Sequence, residues 1–113
     1  MKRKYSAVAV VFANCADRYV LQGYTEPRTF DQMLADAQQV EGLTGIEVIG
    51  GWHINDQNQH AVVKQIHDAG FQLACVIPEI WANPKWGWGT LAATDPGIRR
   101  DAVERIKVAM DLA

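Results

Sequence analysis

Strand-like and helix-like segments alternate three times along 113 residues, and this alternation narrows the folds open to the chain. Tyr5–Phe12, YSAVAVVF, is apolar almost throughout and does not alternate with polar residues, which predicts a strand buried on both faces, as in a parallel sheet. A polar, irregular stretch from Asn14 to Arg28 follows, with Gly23 and Pro27 as breakers. Thr29 and Gln32 then have the spacing of a capping box, and Phe30, Met33, Leu34 and Ala37 share one helical face. Gly42 is placed to close that helix in a left-handed conformation. Ile46–Ile49 is the second strand, broken by Gly50 and Gly51. The second helix begins near Asn55 or Asp56, carries Val62, Ile66 and Ala69 on one face, and stops at Gly70. Phe71–Ile77 is the third strand, ended by Pro78. After a long loop, Glu79 to Thr94, Asp95 caps a third helix with Pro96 at its first position. Its apolar stripe is Ile98, Ala102, Ile106, Ala109 and Ala113.

Strand–helix repetition of this kind predicts a parallel sheet with right-handed crossovers. If each strand is added on the same side, every helix lands on one face and the other face lies bare, with both sheet edges open. A closed eight-fold barrel needs roughly 250 residues. The expected fold class is therefore α/β: three consecutive strand–helix units of a parallel (β/α)8 TIM barrel, incomplete in this chain. Residues 1–113 read as the N-terminal part of a single barrel domain. The alternative is a self-contained three-layer domain whose strand order changes so that helices cover both faces.

Composition removes several function classes. Eleven Lys and Arg against thirteen Asp and Glu leave a net charge of -2, without the concentrated positive surface that nucleic-acid binding requires. No apolar run approaches the roughly 20 residues that cross a bilayer. Apolar residues at 49% and charged residues at 21% suit a folded globule rather than a disordered segment. Cys15 and Cys75 have no metal-ligand or CxxC spacing and read as free thiols in a reducing cytoplasm. Met1–Lys4 followed by Ser6–Ala13 has the outline of a short signal peptide, but its Val and Phe content suits a buried strand better.

Four stretches carry a resemblance. They are Val40–Val48 (VEGLTGIEV), Gly50–Asn55 (GGWHIN), Val76–Ala82 (VIPEIWA) with Lys85–Leu91 (KWGWGTL), and Asp95–Arg100 (DPGIRR). Together they resemble the xylose isomerase-like TIM-barrel superfamily of sugar isomerases and epimerases across nearly the whole chain, with the KWGWGTL stretch as the most specific piece. The resemblance implies a divalent metal of the Mn²⁺ or Mg²⁺ type, held by carboxylates and histidine on later strands and polarising the sugar oxygens. It implies a small sugar as substrate, and no metal ligand within these residues. It further implies that the chain lines part of a sugar pocket with its first strand-end loops and is inactive alone. The other functional reading is an interaction module that oligomerises through its open sheet face and Trp-rich loop.

The candidate substrate-binding residues follow the second and third strands. Trp52 can stack on a sugar ring and His53 can hydrogen-bond a hydroxyl. His53 sits loosely where some members carry a catalytic histidine. Glu79 and Trp81 lie at the equivalent height after the third strand, where Glu79 also reads as a solvated loop acid. Lys85, Trp86 and Trp88 lie in a loop too apolar to be solvent filler, which either lids a pocket or packs on a neighbouring subunit. Glu47, mid-strand, needs a partner if its face is buried. His60 and His67 would stand ~10 Å apart along a helix, too far to share a metal that binds at about 2.1 Å. Arg99 and Arg100 read as a solvated face near a helix start.

Overall fold

A computed structural model describes residues 3–17 and 19–113. The signal-peptide outline at the N-terminus includes Met1 and Lys2, which lie outside the described residues. So does Arg18 in the irregular stretch.

Three strands form one parallel sheet in the order β1-β2-β3: β1 Tyr5–Val8, β2 Leu43–Gly50 and β3 Gln72–Pro78. Three helices follow them: α1 Phe30–Ala37, α2 Gln59–Asp68 and α3 Pro96–Asp111. The strand order keeps to chain order, so the reordering required by the three-layer alternative does not occur. No helix among the described residues is long and apolar enough to cross a membrane.

The first strand is shorter than its apolar run suggests. It ends at Val8, and Ala9–Phe12 turn into a 3-10 helix. Ala9 is buried and Phe12 packs on the core, so these two bury their apolar surface in a turn against α1 rather than in a strand, while Val11 is exposed. Apolarity reports burial, and a short apolar run does not by itself distinguish a strand from a helical turn.

The helix starts follow their capping chemistry. Thr29 Oγ1 accepts from the Gln32 amide at 3.2 Å while Gln32 Oε1 accepts from the Thr29 amide at 2.9 Å, completing the box. Asp95 caps α3 by accepting from the Gly97 amide at 2.6 Å, with Pro96 in the first turn. The second helix begins later than its Asn and Asp residues suggest, at Gln59 after Asn58. Asn55 instead builds the preceding turn, accepting from the Gln57 and Asn58 amides, while Asn58 Oδ1 accepts from the Asn55 amide at 2.7 Å. Short polar side chains stabilise turns as readily as caps, which displaces the start by a turn. At the other end, α1 stops at Ala37, and Gly42 takes φ +82° only after an intervening turn.

The core fills the space between one sheet face and the helices. Ile46, Val48 and Val76 meet Met33, Leu34 and Ala37 of α1, Val62 and Ile66 of α2, and Ala109 with Leu112 from the end of α3. The inward residue in the last turn of α3 is Leu112 rather than Ala113, which is exposed. Fully burying an aliphatic side chain contributes about 1.5–3 kcal/mol, so this single layer supplies most of the stability.

The opposite face is different. Side chains alternate across a strand, so Glu47 and Ile49 point away from Ile46 and Val48. Ser6 and Cys75 share that face and are exposed, while Glu47 is partly buried. Ser6 Oγ donates to Glu47 Oε1 at 2.6 Å, which supplies the carboxylate with a partner. Ile49 is only 1% exposed but lies outside the main core cluster.

Candidate functional site at the carboxyl rim of the sheet

The ends of β2 and β3 carry the residues singled out by sequence. Beyond β2 the chain makes a tight turn. Gly51 adopts φ +85°, a conformation open to glycine, and its amide donates to the Ile54 carbonyl at 2.8 Å. The Trp52 and His53 amides both donate back to the Ile49 carbonyl, at 3.2 and 2.9 Å. Ile54, fully buried, anchors the turn in the core and bridges to Gly50.

That anchoring turns Trp52 outward and His53 inward. Trp52 is 44% exposed, and its ring lies 5.8 Å from that of Trp81, tilted by 53°. The two indoles form a tilted pair at the rim, joining the loops after β2 and β3. The His53 ring packs on Phe30 with centroids 5.5 Å apart, and its Nδ1 accepts from the Ile49 amide at 3.0 Å. A neutral ring that accepts at Nδ1 must carry its proton on Nε2. Burial pushes the His53 pKa below its usual 6.5, which favours that neutral form.

The loop after β3 spends its polar groups on itself. Glu79 Oε1 accepts from the Trp81 and Ala82 amides, at 3.1 and 2.7 Å, and so shapes the turn that presents Trp81. Asn83 caps the short 3-10 turn Pro84–Trp86 by accepting from the Lys85 amide. Lys85 Nζ sits 4.3 Å from the centre of the Trp86 ring and 3.1 Å from Asp101 Oδ2 on α3. Trp86 is buried, and its Nε1 has no hydrogen-bond partner among the described residues. Arg99 Nη1 donates to the carbonyls of Ala93 and Thr94, tying the end of the loop to α3. Trp88 is 96% exposed. His60, His67 and Arg100 are exposed on their helices.

The six candidates therefore divide. Trp52 and Trp81 come together as a rim surface. Lys85 and Trp86 form a second cluster against α3, His53 faces Phe30 and the end of β2, and Glu79 braces its own loop. No three His, Cys, Asp or Glu side chains among the described residues are grouped so as to hold a metal.

One feature escaped the sequence reading. A cavity of about 530 Å³ opens behind the rim, lined by Gly50, Gly51, Gln59 and Glu79, by Arg105 of α3 and by Leu112 just past its end. Gln59 Nε2 donates to the Leu112 carbonyl at 3.2 Å across its edge. The Gly50-Gly51 pair was the local signal for it, since absent side chains leave space. The far wall depends on where α3 crosses, which no local pattern encodes. No protein-family model matches the chain, and no curated protein matches it.

Proposed function

We propose that this chain is the N-terminal part of a TIM-barrel sugar isomerase or epimerase of the xylose isomerase-like kind, contributing part of the sugar pocket and inactive alone. The observation that carries the reading is the three-stranded parallel sheet in sequential order, with its main core cluster between one face and the helices. A barrel presents one face of such a sheet to the helices and the other to its interior, and sites gather at the carboxyl ends of its strands. The Trp52–Trp81 pair lies at those ends and offers indole surface for the apolar face of a sugar ring. The resemblance in GGWHIN and KWGWGTL supplies the substrate class.

The described residues do not assemble a metal cage. In this reading the divalent metal and the acid–base carboxylates belong to later strands. The test is isomerisation of a panel of aldoses and ketoses with Mn²⁺ or Mg²⁺, using the 113-residue chain and any longer product of its reading frame. Turnover by a longer product alone is expected, with Glu, Asp and His at its later strand ends. Turnover by the 113-residue chain refutes the inactivity, and an inert longer product refutes the enzyme reading.

A second reading rests on Trp88 in the tryptophan loop, at 96% exposure, and on exposed Cys75 on the sheet face. Apolar groups this open suit an interaction module that self-associates through its bare sheet face and tryptophan loop. A monomeric solution mass at high concentration argues against it.

A further inference from the structure

We propose that His53 is a proton-operated latch on the turn following β2: the neutral imidazole holds the turn closed by accepting the Ile49 amide, and protonation releases it together with Trp52.

The geometry leaves little alternative. The Ile49 amide donates to His53 Nδ1 at 3.0 Å. An imidazolium carries hydrogen on both nitrogens and accepts at neither, so the bond exists only with the neutral ring. The same turn is held by three backbone bonds between Ile49, Gly51, Trp52, His53 and Ile54. Asn58 Nδ2 adds one more, donating to the His53 carbonyl at 3.1 Å. Protonation thus sets two N–H groups against each other inside a closed ring of hydrogen bonds. The ring is partly buried, so the lost bond and the opposed N–H groups cost free energy that opening the turn relieves. Trp52 immediately precedes the latch, and its contact with Trp81 depends on the turn.

Among the described residues no carboxylate forms an ion pair or hydrogen bond with the His53 ring that would hold its protonated form in place. Among the described residues the His53 ring meets the Phe30 ring and the Ile49 amide, and Asn58 bonds to its backbone carbonyl; none of these partners titrates between pH 4 and 8. Of the charged groups on the same elements, Asp31 bonds to Gln65, Glu47 to Ser6 and Arg28 to Asp36, while Asp56 makes no bond to the ring. Burial also disfavours the charged ring and places its titration below the ordinary 6.5. The latch is a property of the turn and does not depend on the sugar reading.

The test is an NMR titration of the full chain from pH 8 to pH 4. The expected result has three parts. The neutral His53 ring shows the Nε2–H tautomer, it titrates below 6.5, and the Ile49 amide and Trp52 indole signals shift with the same midpoint. The His53→Asn variant keeps an acceptor for the Ile49 amide but does not titrate, so those two signals stay flat. The double variant His60→Gln/His67→Gln retains the wild-type transition. The proposal is overturned if His53 titrates while the Ile49 and Trp52 signals stand still. It is equally overturned if the transition vanishes in the double variant or persists in His53→Asn. If His53→Asn does not fold, the wild-type and double-variant titrations decide alone.

Discussion

The two faces of the sheet are built from the same three strands and differ in almost every respect. One face carries Ile46, Val48 and Val76, all buried against helices. The other carries exposed Ser6 and Cys75 and a Ser6–Glu47 hydrogen bond, with Ile49 near its carboxyl end as its fully buried aliphatic residue. The difference teaches that the stability of this chain resides in one layer, while the bare layer contributes little in the isolated chain. A substitution series across β2 and β3 sharpens the contrast.

The largest effect is expected on the covered face. Ile46→Ala should cost about 2–5 kcal/mol, because neighbours on three helices cannot all close the cavity it leaves. Denaturant unfolding measures it. A cost well under 1 kcal/mol would mean that the layer is loosely packed and that the contrast is false.

Next in size are the caps that fix the covering helices. Thr29→Ala removes one arm of the capping box on α1 and Asp95→Ala the cap on α3. Each is expected to cost about 1 kcal/mol by denaturant unfolding. An effect at α3 much below that at α1 would indicate that α3 contributes little to holding the covered face.

The pH dependence comes third. The folded His53 pKa lies below the unfolded value of 6.5, so the unfolded chain binds more protons between the two. The contribution is fully present above about 6.5 and is lost as pH falls through the folded pKa. Its slope cannot exceed ~1.4 kcal/mol per pH unit for one group. Urea midpoints from pH 5 to 7 for wild type and His53→Asn measure it, and parallel curves would remove His53 as the source.

Ser6→Ala follows, at about 0.5–1 kcal/mol, since it removes a neutral donor from a carboxylate that water can also reach. The smallest change is Cys75→Ala, expected within about 0.5 kcal/mol because the side chain is exposed. The Cys75 thiol should also react promptly with a small disulfide reagent. Slow labelling of Cys75 beside fast labelling of Cys15 would show the bare face covered in solution.

Much of this contrast is legible in the residues themselves. Capping chemistry is local, so Thr29, Gln32, Asp95 and Pro96 announce their helices without tertiary information. Gly70 ends α2 with φ +87° for the same reason. The apolar runs locate burial correctly and its geometry less well, as Ala9–Phe12 shows by folding as a turn. At the rim, Trp52 and Trp81 were legible as residues following the second and third strands, and their ring contact comes from the two turns that the structure shows. The self-directed bonding of Glu79 and the inward turn of His53 were not legible, since each depends on amide directions set by the turn. The cavity behind the rim needed the path of α3, a contact between segments far apart in sequence.

Gly45 sits midway along the bare face with Ser6 on one side and Ala74 on the other. A methyl group at that position would stand 3.1 Å from the Ala74 side chain and 3.2 Å from that of Ser6. Three of the smallest side chains thus meet in one row, on the side without helices. Glycine inside a strand often marks a place where neighbouring chain approaches closely. A bulkier residue at position 45 would therefore have to push Ser6 and Ala74 apart and loosen the pairing of β2 with both of its neighbours.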